Sequence, residues 1–291
     1  MKAQKKAYFF AILAVLLWST VGSAFKLTLQ HINYLQMLLY ASFVSIITLF
    51  IIILIQKKFV LIKNINAKDI KSSAMLGMLN PFLFYIFLFK GYSILLTQEA
   101  VVLNFTWPIT LVLLSIPLLK QKINIRSILA IIISFTGAII IATKGNIFQL
   151  KFSNTNGVII MLSSTVFWSL YWILNVKDKR EDLIKLFLNF VFGFIYILIL
   201  NIILSNIQMP DRYGLLGVIY IGLFEMSITY IFWLKALRYS TTTAKVGNLI
   251  FIAPFLSLII ISFAVGEKIM PSSIIGLILI ILGIISQRRK G

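Results

Sequence analysis

The sequence predicts an all-α integral membrane protein of ten transmembrane helices, arranged as a 5+5 inverted repeat around a central cavity. Three observations predict this architecture. Hydrophobic residues make up 60% of the 291 residues, charged residues only 12%, and the mean hydropathy is +1.01, which is typical of chains that reside in lipid. Apolar stretches of membrane-spanning length recur along the whole chain. Short motifs of the first half also recur in the second half.

The predicted spans are mostly long enough to cross a hydrocarbon core of about 30 Å at about 1.5 Å per residue. The first is preceded by Lys2, Lys5 and Lys6, as in a signal peptide. Because this first apolar run is nearly of spanning length and further spans follow, we interpret it as a retained helix. The predicted spans are 7–25, 34–55, 72–93, 97–118, 126–143, 156–176, 184–205, 213–235, 241–264 and 272–287.

The basic residues predict the orientation. Short loops make successive helices antiparallel, so ten spans place both termini on one side. Of the 27 Lys and Arg residues, 21 fall on that side and 6 on the other. The positive-inside rule therefore predicts that both termini are cytoplasmic, in a bacterial plasma (inner) membrane.

Net charge alone could suggest another partner. A charge of +19 and a pI near 10.1 would suit a nucleic-acid-binding protein, but here the cations lie between apolar runs rather than on one water-exposed surface. The lipid bilayer is therefore the predicted partner, and nucleic acid is not. The chain has no cysteine and one histidine, so we expect no disulfide, no metal site and no cofactor.

An internal repeat predicts how the spans are organised. Trp18-Ser19 recurs as Trp168-Ser169, and at an offset of 146 residues Pro108 pairs with Pro254. Each half, 1–145 and 146–291, holds five predicted spans, so the second copy starts from the opposite side of the membrane. Inverted repeats of this kind enclose a midplane binding site and exchange conformations by rocking.

These features resemble the drug/metabolite transporter superfamily, in particular the EamA-type ten-helix carriers. The residues that carry the resemblance are the segments Leu17-Trp18-Ser19-Thr20, Asn104-Phe105-Thr106-Trp107-Pro108, and Pro254 through Gly266-Glu267-Lys268 to Gly283. The first two segments look most like the aromatic amino-acid exporter branch. The resemblance implies two EamA-type repeats, a central cavity, a small-molecule substrate and export of amino acids or related metabolites by a secondary carrier.

Glu225 is the most informative residue of the sequence. It lies halfway along predicted span 8, where an ionised carboxylate costs at least about 2.5 kcal/mol, so it should face the cavity. Helical spacing places Thr229 and Trp233 on the same stripe. Two interpretations stay open: Glu225 binds an amine or carries a proton, or it is held in a hydrogen bond to a neighbouring helix.

Polar residues beside prolines in spans from both halves also indicate a cavity, although a single proline is more often only a kink. Mid-depth aromatics could stack a planar substrate or contact a cation, although most aromatics must serve packing. The candidate cavity residues are Trp18, Ser19, Asn80, Tyr85, Asn104, Trp107, Trp168, Tyr171, Glu225, Thr229, Trp233 and Asn248, and the candidate kinks are Pro81, Pro108 and Pro254.

Several functions remain to be separated. No phosphate-binding loop of the GxxxxGK[ST] type is present, which disfavours ATP-driven transport by this chain. The predicted spans contain no aspartate, histidine or cysteine, so an intramembrane enzyme is not expected. A multidrug or other metabolite carrier and a non-transporting scaffold or receptor subunit stay as alternatives. The sequence leaves open whether the protein is a monomer or a homodimer.

Overall fold

All regular structure in the described part of the chain is helical. This computed structural model describes residues 2–119, 125–146, 154–175, 178–204, 207–240 and 249–288. The α-helices are α1 (Lys2–Thr28), α2 (Tyr34–Ile55), α3 (Phe59–Lys63), α4 (Ala67–Gly77), α5 (Phe84–Ile94), α6 (Thr97–Asn104), α7 (Trp107–Leu119), α8 (Ile125–Ala142), α9 (Thr155–Asn175), α10 (Asp182–Leu204), α11 (Arg212–Tyr220), α12 (Thr229–Tyr239), α13 (Ile252–Ala264) and α14 (Pro271–Arg288).

Seven helices of the described ranges are long and apolar enough to cross a membrane. They coincide with predicted spans 1 to 4 and 6 to 8, and they confirm an all-helical integral membrane protein. Three shorter apolar helices, Ile132–Ile141, Ile252–Ala264 and Pro271–Gly283, lie where spans 5, 9 and 10 were predicted. The count of ten spans and the 5+5 division therefore stay predictions.

Polar residues just before the apolar runs begin several helices. The side chain of Asn33 accepts hydrogen bonds of 3.0 Å from the amides of Leu35 and Gln36 at the start of α2. Asn66 and Asp69 form a reciprocal capping box that starts α4. Each cap satisfies backbone donors that the first turn of a helix leaves without partners.

Two of the long helices are interrupted at mid-depth by π-helical segments. Met78–Leu83 joins α4 to α5, and Ile221–Ile228 joins α11 to α12. In the first, Asn80 leaves the helical region (φ −148°, ψ 118°) next to Pro81. Adding the sequence offset of 146 to the first segment gives 224–229, which overlaps the second, so the predicted repeat places both irregularities at matching positions.

Helix packing also pairs the predicted halves. The helix α1 packs on α12 and α13, while α9, at the matching position of the second half, packs on α5 and α7. Hydroxyl groups join these pairs in the same way. Ser257 Oγ donates to the carbonyl oxygen of Ser19 at 2.8 Å, and Ser169 Oγ donates to that of Trp107 at 3.2 Å.

A charged network joins helices at the face where α1 begins. Arg180 donates to the carboxylate of Asp178, with Nε at 3.0 Å and Nη2 at 2.5 Å, and its Nη1 donates to Ser73 Oγ at 2.9 Å. Lys58 Nζ lies 2.6 Å from Glu181 Oε1. These contacts join the ends of α2 and α4 to the connection between α9 and α10.

On the opposite face, the side chain of Glu267 caps the N-terminus of α6. Its Oε1 accepts hydrogen bonds from the amide and the hydroxyl of Thr97 at 2.8 and 2.6 Å, and its Oε2 accepts one from the amide of Gln98 at 3.2 Å. A carboxylate at a helix N-terminus satisfies free amides and interacts favourably with the helix dipole. Glu267 thus has a structural role, because it joins the connection between α13 and α14 to the start of α6.

The helices α8 and α14 approach closely through glycines. A Cβ built on Gly137 would lie 2.5 Å from the carbonyl oxygen of Gly276. Because that atom belongs to the backbone, we expect Gly137→Ala to destabilise the protein by about 1–3 kcal/mol. Thermal unfolding of the purified protein in detergent measures this. Thr136→Ala, at the exposed neighbouring residue, should unfold near the wild-type temperature, and an equal midpoint for Gly137→Ala would contradict the close approach.

The Arg180 network should depend on pH. Burial raises the pKa of Asp178, but the hydrogen bonds and the charge of Arg180 outweigh burial, so this pKa lies below its ordinary value. Its stabilisation is therefore complete above the unfolded pKa of about 3.9 and is lost as the pH falls through the folded pKa. We expect Arg180→Gln to cost about 1 kcal/mol at pH 7.

Thermal unfolding of wild type and Arg180→Gln between pH 7 and pH 3 tests this expectation. The difference between their midpoints should shrink below about pH 4, where the unfolded carboxyl group begins to take up a proton. A difference that stays constant across this range would show that Arg180 acts through packing and its hydrogen bond to Ser73 rather than through Asp178.

Candidate functional site

Glu225 lies at the centre of the candidate site. It occupies the π-helical segment halfway along the 28-residue apolar stretch Arg212–Tyr239, and it is 7% exposed. Tyr85 of α5 donates its hydroxyl to Glu225 Oε1 at 3.0 Å. The hydroxyl of Tyr85 also lies 3.3 Å from that of Tyr230 of α12. One oxygen of the carboxylate is therefore held by a chain of two phenols.

The other oxygen of Glu225 is unsatisfied. Oε2 is buried and makes no hydrogen bond within ordinary limits. The indole of Trp18 lies beside the carboxylate, outside those limits. Among the described residues, no lysine or arginine forms an ion pair with Glu225. The site thus presents one carboxylate oxygen that can accept a hydrogen bond from a ligand.

Aromatic side chains surround these polar groups. The ring centroid of Trp18 lies 6.4 Å from that of Tyr230 and 5.5 Å from that of Trp233. The ring centroid of Trp168 lies 5.8 Å from that of Tyr230 and 6.2 Å from that of Tyr171. The three indoles are only half-buried, whereas Tyr171 and Tyr230 are buried. Trp18 and Trp168, which the repeat relates, thus contact Tyr230 from α1 and α9.

Two carboxamides lie next to the phenols. Asn80, from the first π-helical segment, and Asn189, from α10, both have 0% exposure. Both face the hydroxyl of Tyr171, and Asn80 also faces Tyr230. Neither carboxamide makes a hydrogen bond of ordinary geometry. A buried polar group without a partner costs about 1–3 kcal/mol, and such groups are uncommon in folded proteins.

Two other predicted site residues form hydrogen bonds with backbone carbonyl groups. Ser19 is buried and donates to the carbonyl oxygen of Leu16, and Thr229 donates to that of Phe224. Asn104 and Trp107 are half-buried and flank a break between α6 and α7. The structure does not bring them into hydrogen-bonding or ring contact with the Glu225 cluster within the described residues.

The prolines differ in their positions. Pro81 lies inside the first π-helical segment, and its ring packs against Gly193, where an added Cβ would lie 2.4 Å from Pro81 Cδ. Pro108 and Pro254 lie in the first turns of α7 and α13, where a missing amide donor breaks no helical hydrogen bond. Asn248 lies outside the described residues.

Sequence reasoning missed Tyr230 and Asn189. Asn189 is one of two carboxamides, with Asn201, in the apolar stretch Asp182–Leu204, so it could have been found by the same argument that found Glu225. Tyr230 could not, because it is one of 11 tyrosines and the π-helical segment before it changes which residues share a face.

The cluster suits recognition of a small molecule rather than a metal ion. The described residues contain no group of three or more His, Cys, Asp or Glu side chains that could hold a metal. A surface cleft of about 680 Å³ is lined by residues 31–36 with Leu204 and Gln208 at the far end of α1, and it shares no residue with the cluster. We assign the candidate site to the cluster, because the unsatisfied polar groups lie there.

Comparisons with known proteins agree with a transport role. The model of the EamA-like transporter family matches residues 5–143 and again 155–286. An uncharacterized transporter of Clostridium kluyveri is 25% identical over 294 residues, covering 96% of this chain and 92% of the relative. Another, of Archaeoglobus fulgidus, is 24% identical and covers 98% and 99%. None of these names states a cargo.

Further comparisons extend this agreement. The uncharacterized transporter YyaM of Bacillus subtilis is 26% identical over 230 residues, covering 75% of this chain and 73% of the relative. One solved crystal structure shares the fold, with a TM-score of 0.69 at 16% identity, and the match covers 98% of this chain and 96% of that one.

Proposed function

The chain belongs to the EamA-like transporter family, and on that premise we propose that it is a secondary carrier that exports amino acids or related small metabolites by alternating access. The observation that carries the proposal is the buried Glu225, with Oε1 held by Tyr85 and Oε2 free. An intramembrane carboxylate is retained against its cost when it serves an ion or substrate.

Two further observations support alternating access. The family model matches twice, over residues 5–143 and 155–286, which supports two repeats at 1–145 and 146–291. The site draws Tyr85 from the first of these and Glu225 from the second, so a rocking motion of one repeat against the other would change the contacts of a bound solute. The remaining candidate residues are proposed to line the path to this site.

The proposed orientation follows from charge. The face at which Arg180 and Lys58 make their contacts belongs to the side that carries 21 of the 27 basic residues, which favours a cytoplasmic location for both termini. The bacterial relatives support a bacterial plasma membrane. The segments around Trp18 and Trp107 resemble those of aromatic amino-acid exporters and support amino acids as cargo.

Flux into and out of proteoliposomes tests the proposal. Purified protein, reconstituted at known density, should carry at least one member of a panel of labelled amino acids, amines and drugs faster than protein-free vesicles. A panel on which every member moves at the protein-free rate would count against a carrier and would favour a scaffold or receptor subunit.

Glu225→Gln should reduce this flux at least about tenfold or shift its pH dependence strongly, because it removes the negative charge from the site and keeps the shape of the side chain. The initial rate is measured from pH 5 to pH 8. Asp182→Asn serves as the control, since Asp182 is half exposed at the start of α10, where its ion pair among the described residues is with Lys185. Glu225→Gln rates equal to wild type over this whole range would remove Glu225 from the mechanism.

A further inference from the structure

The unpaired carboxamides beside Glu225 form a site of their own. Asn80 and Asn189 come from different segments, the first π-helical segment and α10, and they meet at the hydroxyl of Tyr171. All four of their side-chain oxygen and nitrogen atoms are buried, and the hydroxyl of Tyr171 beside them lies outside ordinary hydrogen-bond geometry. Buried polar atoms are normally paired, so this position is prepared for a polar group that enters from outside the chain.

A continuous row of polar groups connects this position to the carboxylate. Glu225 accepts from Tyr85, the hydroxyl of Tyr85 lies 3.3 Å from that of Tyr230, and Tyr230 faces Asn80. Tyr171 continues the row to Asn189. A single small molecule that lies along the row would therefore reach a carboxylate at one end and carboxamides at the other.

The row contains a carboxyl group but no basic side chain. Glu225 supplies its only carboxyl group, and within the described residues none of its members forms an ion pair with a lysine or arginine. A ligand with one positive charge would neutralise the carboxylate in this low-dielectric place. The carboxylate of a free amino acid would instead face only neutral donors, near a second negative charge, which is unfavourable.

We infer that Asn80, Asn189 and Tyr171 form a neutral hydrogen-bonding subsite, and that the cargo is a monocationic amine that carries an uncharged polar group. Its ammonium group binds Glu225, and its apolar body lies against Trp18 and Trp168, whose ring faces favour a nearby cation. A carboxamide is the best match for the subsite, because each asparagine offers both donors and an acceptor. The inference rests on the proposed transport function and restricts its cargo to the related metabolites, namely amines without a free carboxylate, so free amino acids are excluded.

Four related probes test the subsite by calorimetric titration of the purified full chain in detergent. They are phenylalanine amide, phenethylamine, phenylalanine and 3-phenylpropanamide, which vary the ammonium and the carboxamide around one ring. At pH 6, below the pKa of about 7.7–8.0 of an α-amino group, phenylalanine amide should bind at least about tenfold more tightly than each of the other three.

Variants then locate the preference. Asn189→Leu, which keeps the size of the side chain, should lower the preference for phenylalanine amide over phenethylamine from about tenfold to about onefold. Tyr171→Phe should lower it in the same direction and removes only a hydroxyl. Asn201→Leu is the matched control, since Asn201 is also a buried carboxamide of α10 but donates to the carbonyl oxygen of Leu35. Its preference should stay at the wild-type value.

Three results would overturn the subsite: phenylalanine binding as tightly as its amide, a preference that survives in both Asn189→Leu and Tyr171→Phe, or no binding of any probe at millimolar concentration. The second result is expected if ordered water, rather than the ligand, forms hydrogen bonds with the two carboxamides. Vesicle flux separates this outcome from transport itself. Flux of phenylalanine without flux of its amide would support the proposed carrier and contradict the subsite. The expected binding preferences without flux of any probe would support the subsite and contradict the carrier.

Discussion

Glu225 has to be hydrogen-bonded at a depth where lipid offers no partner, and the arrangement of the central helices follows from this requirement. The donor is Tyr85, which lies 140 residues earlier in the chain on α5. The second phenol, Tyr230, lies on the helix that continues from the segment of Glu225 itself. Stabilising the carboxylate therefore requires that the side chain of Tyr85 on α5 reaches Glu225 and Tyr230 at mid-depth, where Trp18 and Trp168 also contact Tyr230.

The helices that supply these groups are irregular at the same depth. A π-helical segment displaces carbonyl groups from their usual partners, and in lipid such groups need replacements. Hydroxyl side chains supply them in Ile221–Ile228: Ser227 Oγ donates to the carbonyl oxygen of Gly222 at 2.7 Å, and Thr229 donates to that of Phe224. The irregularity that aims Glu225 inward is thus stabilised by neighbouring polar side chains, which leaves them unavailable to a ligand.

The membrane class, the helical fold and the family were predictable because they depend on long apolar runs and on motifs such as Trp18-Ser19. Glu225 was predictable because one acidic residue in the middle of an apolar stretch is rare and costly. The details of the site were not. The stripe of Glu225, Thr229 and Trp233 assumed a regular helix, but the π-helical segment changes the register and brings Tyr230 next to Tyr85 instead. Local periodicity carries no signal for such a change.

The free oxygen of Glu225 bears on how a cargo could drive the proposed motion. Oε1 is already bound by Tyr85, so an ammonium group that binds Oε2 does not first have to break a hydrogen bond between α5 and the segment of Glu225. A ligand shifts a conformational equilibrium only by its difference in affinity between the two states. Asn80 precedes the predicted boundary at residue 145, whereas Glu225, Tyr171 and Asn189 follow it, so a rocking of the halves would change the distance between Glu225 and Asn80 but would leave Asn189 in the same half as Glu225. A cargo that contacts both Glu225 and Asn80 would gain that difference, whereas a simple inorganic cation at Glu225 alone would not.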